Sequence, residues 1–366
     1  MNEKQILTLN PISDIAQEVL NGYGLSTECN QPLAILVRSF NMHKFDLPAS
    51  VLAVARAGAG YNNIPYSDYA LKGICVFNTP GANANGVKEL VLASLLLASR
   101  NIIPATEWTK TLHNNVAKQV EKGKNAFAGT EIAGKRICVI GLGAIGKSVA
   151  KAAYALGMTV TGYDKYISDS AKVKLNFVTV FDDIISACHE ADYVTLHIPC
   201  TDDTANTVND TLIDAMKDGV ILINTARAEL ADINAVKLGL KNNKIRAYVT
   251  DFPTEDTADT EGIIAIPHLG ASTLESEDNC ARMAAAQLKD YIENGNIKNS
   301  VNMPDVSSPR RAAHRVCIIS RDSGENPYGG ISATRAGIRY TIVDTDLTPD
   351  VRNYSGDGII KVRVVY

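Results

Sequence analysis

Three glycines, Gly141, Gly143 and Gly146, form a Gly-x-Gly-x-x-Gly pattern whose spacing predicts a nucleotide-binding turn. They follow the apolar run Arg-Ile-Cys-Val-Ile and open an amphipathic segment, residues 144–156. In a strand–turn–helix, the first glycine permits the tight turn, the second admits a pyrophosphate and the third allows close helix packing. Backbone N–H groups at a helix N-terminus hold the pyrophosphate. The residues expected to line it are Gly141, Gly143, Ala144, Ile145 and Gly146.

An acidic residue completes this pattern. Asp164 ends the next apolar run, Thr-Val-Thr-Gly-Tyr, and lies 18 residues past Gly146. A carboxylate at this position accepts a hydrogen bond from the 2′-hydroxyl of an adenosine ribose and repels a 2′-phosphate. A glycine triplet alone arises by chance in many loops, but two strands, a helix and an acid in order favour a dinucleotide site. The sequence therefore predicts an NAD site rather than an NADP site.

Polar side chains follow three further strand-like runs. Arg227 ends Ile-Asn-Thr-Ala-Arg, Glu255 lies in Asp251-Phe-Pro-Thr-Glu, and His268 lies in Ile-Pro-His-Leu-Gly. Oxidation of an alcohol needs a base for the hydroxyl proton and a cation for an anionic substrate. His268, oriented by Glu255, would be the base, and Arg227 would clamp a carboxylate. The alternatives are a solvated Arg227 and a purely structural His268.

Two arginines stand at strand ends in the first hundred residues. Arg38 ends Ile-Leu-Val-Arg, and Arg56 precedes the turn Ala57-Gly58-Ala-Gly. Backbone N–H groups of such a turn can cradle an anion. Each arginine taken alone is compatible with a solvated surface position. Together they predict a substrate with a second negative group, such as a phosphate.

Short apolar strands alternate with helical patterns, which predicts parallel sheets covered on both faces, an α/β fold. The predicted strands are 34–38, 51–55, 74–78, 137–140, 159–163, 193–197, 220–224, 247–250 and 263–266. The predicted helices are 13–20, 88–100, 144–156, 212–216, 233–240 and 281–292. His197, which ends one of these strands in Leu-His-Ile-Pro, is expected to line the cofactor cleft.

The glycine turn lies about 135 residues into the chain, so a separate domain precedes it. The expected organisation is two doubly wound, Rossmann-like domains with a ligand cleft between them. Residues 1–103 and 275–303 would form the substrate domain and 104–274 the NAD domain. A linker, 304–313, would lead to a strand-rich module, 314–366.

Composition limits the function. The chain has 366 residues, of which 46% are hydrophobic and 21% charged, and its net charge is −4. With no long basic run, binding to nucleic acid or to an anionic membrane is not expected. Seven cysteines without a Cys-x-x-Cys pair indicate reduced thiols, and no signal peptide or metal site is predicted, so we expect a cytoplasmic protein.

Six motifs in order resemble the D-isomer-specific 2-hydroxyacid dehydrogenases over about 300 residues. They are Ala-Arg56-Ala-Gly-Ala-Gly-Tyr-Asn-Asn-Ile, Gly141-Leu-Gly-Ala-Ile-Gly146-Lys, Leu-His197-Ile-Pro, Asn-Thr-Ala-Arg227, Asp251-Phe-Pro-Thr-Glu255 and Pro-His268-Leu-Gly-Ala-Ser-Thr. The resemblance implies His268 as acid/base, Glu255 as its partner and Arg227 as substrate clamp. It also implies further cofactor contacts at His197, Pro199, Thr225, Ala226, Asp251 and Gly270. Substrate contacts are implied at Arg38, Arg56, Ala57, Gly58, Asn83 and Asn85.

The members most similar in these motifs oxidise 3-phospho-D-glycerate with NAD, which is the activity the resemblance implies. It also implies a homodimer or homotetramer, joined near helix 90–98, and a C-terminal α+β ACT-like regulatory module. Only about 20 residues separate Ser320 from Tyr340, with one proline and four glycines, so such a module would be shortened. The alternatives are a glyoxylate or hydroxypyruvate reductase and an NAD-sensing, corepressor-like binding protein.

Overall fold

A computed structural model describes residues 4–366, which form two compact units. Unit 1 comprises the chain up to Asn83 together with Leu274–Tyr366, and unit 2 comprises Ala84–Thr273. Unit 1 is therefore discontinuous along the chain, since unit 2 lies between its two parts in sequence. The division falls at residue 84 rather than 104, because the helix Ala84–Arg100 belongs with unit 2.

Unit 1 is built on a five-stranded parallel sheet of order β2-β1-β3-β4-β5. Its strands are β1 Gln5–Thr8, β2 Gly24–Ser26, β3 Ala34–Val37, β4 Ala53–Arg56 and β5 Cys75–Phe77. Its helices are α1 Ile15–Val19 and α2 Tyr66–Leu71, with a 3-10 turn at Met42–Lys44. All four residues of β3 are buried, as expected for a strand covered on both faces.

Unit 2 holds a seven-stranded parallel sheet of order β12-β11-β10-β9-β6-β7-β8. The strands are β6 Arg136–Ile140, β7 Thr159–Tyr163, β8 Val178–Phe181, β9 Tyr193–Leu196, β10 Val220–Asn224, β11 Ile245–Thr250 and β12 Ile263–Ala265. The helices are α3 Ala84–Arg100, α4 Ile102–Lys110, α5 Val116–Gly123, α6 Ala144–Ala155, α7 Asp169–Lys174, α8 Ile184–Cys188, α9 Asp210–Ala215 and α10 Ile233–Lys241, with 3-10 turns at Lys124–Phe127 and Ala228–Leu230. The strand order reverses between β6 and β9, and such switch points are where open α/β sheets bind ligands.

The chain re-enters unit 1 through α11, Leu274–Asn294, and ends in a four-stranded antiparallel sheet. Its strands are β13 His314–Arg321, β14 Ile331–Arg335, β15 Ile338–Thr345 and β16 Ile359–Val365, in the order β14-β15-β13-β16. Cys317, Tyr340 and Val365 of this sheet share a buried cluster with α11. The sheet is therefore part of the core of unit 1.

The ACT-like α+β module is not confirmed. Residues 314–366 contain strands and one 3-10 turn, Val351–Tyr354, but no α-helix. In the connection between β13 and β14, Gly324, Gly329 and Gly330 have φ of +90°, +67° and +73°. These left-handed conformations belong to turns and interrupt a helix, so the segment forms loops and hairpins instead.

All nine strands predicted in the two parallel sheets are present, with ends shifted by two residues at most. The pattern missed the strands β1, β2 and β8 and the short helices α2, α7 and α8. It also missed α4 and α5, which have no buried residue. Within residues 4–366, no helix combines the length and apolar character needed to cross a bilayer.

Candidate functional site: the nucleotide turn and the histidine turn

The glycine turn between β6 and α6 has the geometry that the spacing predicts. Gly141 has φ of +92°, and a Cβ there would lie 2.7 Å from the backbone carbonyl of His197. A Cβ at Gly146 would lie 1.8 Å from the carbonyl oxygen of Gly141. A Cβ at Gly143, in contrast, would have no neighbour within 4 Å. Two glycines are thus required by packing, whereas Gly143 leaves open space at the N-terminus of α6.

Asp164 supports this turn directly. Its Oδ2 accepts the backbone N–H of Leu142 at 2.8 Å, and its Oδ1 accepts that of Tyr166 at 2.9 Å. An ionised carboxylate offers about four acceptor positions, so two remain for a ribose hydroxyl. The side chain therefore places negative charge beside the glycine turn, where a 2′-phosphate would be repelled.

His197 and Thr225 lie at the same edge of the sheet as the glycine turn. His197 follows β9, and its Nε2 lies 3.0 Å from the Oγ1 of Thr195. Burial lowers the pKa of His197 to about 3, so the imidazole is neutral at pH 7. Thr225 follows β10, and its buried Oγ1 has no hydrogen-bond partner among residues 4–366. An orphaned buried hydroxyl is a place where a bound group is expected to donate or accept a hydrogen bond.

Arg227 lies in a loop organised by a buried amide. Asn224, at the end of β10, is 0% exposed, and its Nδ2 donates to the carbonyl of Arg227 at 2.8 Å. Its Oδ1 accepts the N–H of Ala226 at 3.1 Å. The Arg227 guanidinium donates to the carbonyl of Ala226 at 2.6 Å and remains half-buried. The role of Asn224 could not be predicted from the sequence, because an Asn that ends a strand carries no distinctive pattern.

His268 lies on a turn held by a buried carboxylate. Asp251 is 1% exposed; its Oδ1 accepts the N–H of Leu269 at 2.7 Å and its Oδ2 that of Gly270 at 2.8 Å. Burial raises the pKa of Asp251, and the two N–H donors oppose that rise. His268 itself has φ of +54°, a left-handed conformation that is uncommon outside glycine.

The imidazole of His268 is exposed and packs edge-on against Phe252, with ring centroids 5.0 Å apart. Glu255 is also exposed, and among residues 4–366 no hydrogen bond or ion pair joins it to His268. Glu255 and His268 therefore follow the carboxyl ends of the neighbouring strands β11 and β12 without forming a pair. Phe252, which the sequence analysis did not select, is the side chain in contact with the ring.

In unit 1, Arg38 and Arg56 end neighbouring strands. The guanidinium of Arg56 donates through Nε to the carbonyl of Arg38 at 2.8 Å and through Nη1 to the carbonyl of Gly60. Arg38 forms an ion pair with Glu277 of α11, with 2.7 Å between Nη2 and Oε1. The N–H of Gly58 donates to Thr79 Oγ1 at 2.8 Å, and that of Ala57 donates to the Val37 carbonyl. The anion-binding N–H groups expected at Ala57 and Gly58 are therefore already engaged.

The two asparagines differ in their surroundings. Asn83 has a buried Oδ1 that no described residue contacts by a hydrogen bond, so it has unused hydrogen-bonding capacity. Asn85, in the first turn of α3, donates to Glu89 at 2.8 Å and accepts from Lys88 at 2.6 Å. Of these two asparagines, only Asn83 presents an unsatisfied polar atom.

Pro199, the predicted cofactor contact that follows β9, is exposed.

Comparison with known proteins identifies the class. Residues 92–271 match the family model described as the D-isomer specific 2-hydroxyacid dehydrogenase, NAD binding domain. The D-3-phosphoglycerate dehydrogenase of Haemophilus influenzae is 32% identical over 349 residues, which cover 86% of this chain and 82% of that protein. The chain belongs to the D-isomer specific 2-hydroxyacid dehydrogenases.

Two further similar proteins are also named as phosphoglycerate dehydrogenases. The D-3-phosphoglycerate dehydrogenase of Methanocaldococcus jannaschii is 38% identical over 259 residues, 69% of this chain. The match spans only 48% of that relative's length. The crystal structure of NAD+-bound 3-phosphoglycerate dehydrogenase from Entamoeba histolytica is similar with a TM-score of 0.66 and 25% identity, over 82% of this chain and 99% of that one.

The residues present fit NAD. A dinucleotide would find open space at Gly143 and uncapped backbone N–H groups at the N-terminus of α6. It would also find an unpartnered hydroxyl at Thr225 and a carboxylate at Asp164. Unit 2 is therefore an NAD-binding domain. The residues that would hold the cofactor are Gly141, Gly143, Ala144, Ile145, Gly146, Asp164, His197, Thr225 and Ala226.

Proposed function

We propose that this protein catalyses the NAD-dependent oxidation of 3-phospho-D-glycerate to 3-phosphohydroxypyruvate, the first step of L-serine biosynthesis. The observation that carries the proposal is the turn at His268, an exposed imidazole on a backbone pinned by Asp251, in a domain of the 2-hydroxyacid dehydrogenase family. The names of the relatives from H. influenzae, M. jannaschii and E. histolytica support this substrate.

The chain's own residues supply acid–base and electrostatic chemistry. His268 would accept the hydroxyl proton as the C2–H bond breaks, and the imidazolium would return that proton in the reverse reaction. Arg227 would hold the carboxylate of the substrate and polarise the C2 oxygen. Bound NAD supplies the hydride acceptor. Glu255 is proposed to orient the imidazole in the substrate complex, since catalytic hydrogen bonds are often unformed without ligand.

Arg38 and Arg56 are proposed to bind the phosphate. Both guanidinia lie at the carboxyl ends of adjacent strands in unit 1, where open α/β sheets bind ligands. Two cations match a dianion, and arginine forms bidentate hydrogen bonds to phosphate oxygens. Asn83 has the free oxygen to contribute a further polar contact.

The deciding experiment compares 3-phospho-D-glycerate, D-glycerate and D-lactate with NAD, following NADH absorbance. The proposal predicts a strong preference for the phosphorylated acid. Replacing His268 with Ala should lower kcat by about 10²–10⁴-fold while leaving NAD binding unchanged. Near-normal turnover by His268→Ala, with NAD bound, would show that another group is the base.

A second candidate is reduction of glyoxylate or hydroxypyruvate, which needs no phosphate site. The ion pair between Arg38 and Glu277 favours it, because a neutralised arginine is less available to an anion. Under this alternative, Arg38→Ala and Arg56→Ala would leave the KM for the 2-oxo acid unchanged. Under the leading proposal, each variant raises the KM for 3-phospho-D-glycerate.

We also propose a homodimer or homotetramer. Helix α3 leaves Leu96 44% exposed, and α4 and α5 bury none of their residues within the chain. Exposed apolar side chains grouped on neighbouring helices favour a partner surface. Light scattering on the wild type and on Leu96→Glu tests this, and a monomeric wild type would contradict it.

The seven free thiols support a cytoplasmic location.

A further inference from the structure

The feature that carries a further inference is the carboxylate bound to Arg38. Glu277 lies in the first turn of α11, and its Oε1 is 2.7 Å from the Arg38 guanidinium. The two side chains are 38% and 41% exposed. The pair is therefore formed within unit 1 but is open to solvent, so that a dissolved anion can reach it.

The backbone beneath Arg38 is fixed, so its side chain has a defined reach. The N–H groups of Arg38, Ser39 and Phe40 all donate to Oδ1 of Asn10, at 2.9, 3.1 and 3.0 Å. The Arg38 carbonyl accepts from Arg56, so the two arginines are tied together at the ends of β3 and β4. The guanidinium of Arg38 is the part free to move between partners.

The neighbouring acids on α11 have different partners. Asp278 accepts a hydrogen bond from Ser13, and Glu275 is exposed. Of the three acidic residues in this part of the helix, Glu277 is the one in contact with an arginine of the proposed phosphate site. Its Oε1 contacts Nη2 of Arg38, which is one of the donors that arginine offers to a phosphate oxygen.

We infer that the carboxylate of Glu277 competes with phosphate for Arg38. Glu277 thereby lowers the preference of the protein for phosphorylated over unphosphorylated 2-hydroxy acids. This inference rests on the proposed function. A phosphate must displace the carboxylate from Arg38 and then bind beside its negative charge. Exposed ion pairs are weak, so a dianion can displace this one, at a cost in affinity. A substrate without a second anionic group leaves the ion pair between Arg38 and Glu277 intact, so Glu277 does not change the affinity for that substrate.

Replacing Glu277 with Gln keeps the size of the side chain and removes its charge. The dissociation constant of inorganic phosphate, measured by titration calorimetry at low ionic strength, should fall about three- to tenfold. The effect should shrink as salt is added, because exposed charges are screened. Asp278→Asn is the matched control, since it removes one charge from the same turn without touching Arg38, and it should change phosphate affinity much less.

The partner is tested by a double-mutant cycle. In an Arg38→Ala background, Glu277→Gln should have little effect on phosphate binding, because the competed cation is gone. An equal gain in both backgrounds would overturn the inference in favour of a general field effect. Weaker phosphate binding by Glu277→Gln would also overturn it, by showing that the carboxylate holds Arg38 in place for the ligand.

Turnover gives an independent measurement. Glu277→Gln should lower the KM for 3-phospho-D-glycerate by a similar factor, with kcat and the KM for D-glycerate little changed. If no phosphorylated acid is oxidised but phosphate binds more tightly to Glu277→Gln, the inferred competition stands and the proposed substrate is wrong. If 3-phospho-D-glycerate is oxidised and neither phosphate affinity nor its KM responds, the proposed function stands and the competition is absent.

Discussion

Asp251 holds Gly270 through a contact that depends on the absence of a side chain. The Oδ2 of Asp251 accepts the N–H of Gly270 at 2.8 Å, and a Cβ on Gly270 would lie 2.9 Å from that same oxygen. The other carboxylate oxygen accepts the N–H of Leu269. His268, which immediately precedes these two residues, is thereby positioned by a buried group that need not touch the substrate itself.

Asp251→Asn should lower both stability and turnover. An amide has one acceptor oxygen, so one of the two N–H donors would face an NH2 group and lose its partner. An unsatisfied buried donor costs about 1–3 kcal/mol in the free energy of unfolding. A displaced His268 should reduce kcat by about 10²-fold, while the affinity for NAD changes less. Urea denaturation, steady-state kinetics and NAD titration measure the three quantities.

Asp256→Asn is the matched control for this substitution. Asp256 lies five residues further along the chain, is exposed and forms an ion pair with Lys237. The same change of charge there should shift stability by no more than about 0.5 kcal/mol. If both variants lose turnover equally, loss of charge rather than the backbone contact would explain the result.

A second prediction concerns the choice of cofactor. Asp164→Asn removes the negative charge beside the glycine turn but keeps an oxygen that can accept the N–H of Leu142. The preference for NAD over NADP should fall about tenfold or more, because the repulsion of the 2′-phosphate is lost. Asp164→Ala removes both the charge and the support for the turn, so it should weaken both cofactors. Fluorescence titration with NADH and NADPH distinguishes the two effects; an unchanged preference in both variants would exclude Asp164 as the determinant.

The local patterns of the sequence predicted much of unit 2 correctly. The strand, glycine turn, helix and second strand from Arg136 to Asp164 are contiguous, so their spacing alone specifies the nucleotide turn. The pairing of Arg38 with Glu277 is different, since 239 positions separate the two residues and no local pattern connects them. Contacts of this kind depend on the tertiary fold.

The C-terminal segment shows how far local patterns and the family resemblance each reached. Residues 314–366, predicted to be rich in strands, contain β13 to β16, and the glycines before β14 interrupt any helix there. The family resemblance nevertheless implied an α+β module, whereas the chain forms a four-stranded antiparallel sheet. The ACT-like module thus stays unconfirmed, whereas the effect of glycine and proline on this segment could be predicted because both residues act directly on the backbone.

A third prediction concerns pH. The pKa of His197 is lowered to about 3 by burial, whereas an exposed histidine titrates near 6.5. Below pH 6.5 the imidazole of His197 becomes protonated in the unfolded chain but stays neutral in the folded chain. The free energy of unfolding therefore falls as the pH falls. The free energy of unfolding should decrease by up to about 1.4 kcal/mol per pH unit below pH 6 from this group.

Urea denaturation of the wild type and of His197→Asn between pH 4.5 and pH 7.5 measures how His197 contributes to the pH dependence of the unfolding free energy. At the low end of this range, unfolding of the wild type should take up about one proton more than unfolding of the variant. The variant should be less stable at pH 7.5, where the hydrogen-bonded imidazole is lost, but should show a shallower decline below pH 6. His189→Gln is the control, because His189 is exposed. Parallel pH profiles for wild type and His197→Asn would show that His197 titrates normally in the folded protein.

The last prediction concerns the attachment of the C-terminal sheet to the rest of unit 1. Arg315 of β13 is 0% exposed and donates to both oxygens of Asp344, at 2.7 and 2.9 Å. It also donates to the carbonyls of Asn294, Ser308 and Pro309. One guanidinium thus joins two strands, the end of α11 and the segment that follows it.

Arg315→Met keeps much of the side-chain volume but leaves Asp344 and three carbonyls without this donor. Removing one partner of a buried pair costs about 3–5 kcal/mol, so the variant should unfold at clearly lower urea concentration. Arg352→Met is the control: Arg352 pairs with Asp350 at the surface and is 87% exposed, so its loss should lower the stability far less than Arg315→Met does. Equal losses in the two variants would mean that Arg315 contributes no more than a surface charge.

The same pair predicts a response to acid. The hydrogen bond from Arg315 lowers the pKa of Asp344 below its usual value near 3.9. A depressed carboxylate pKa contributes stability that is fully present above the unfolded pKa and is lost as pH falls through the folded pKa. Below pH 4, therefore, the stability difference between wild type and Arg315→Met should narrow, because protonation of Asp344 breaks the ion pair in the wild type as well. A difference that stays constant down to pH 2 would assign the cost to the orphaned carbonyls rather than to the carboxylate.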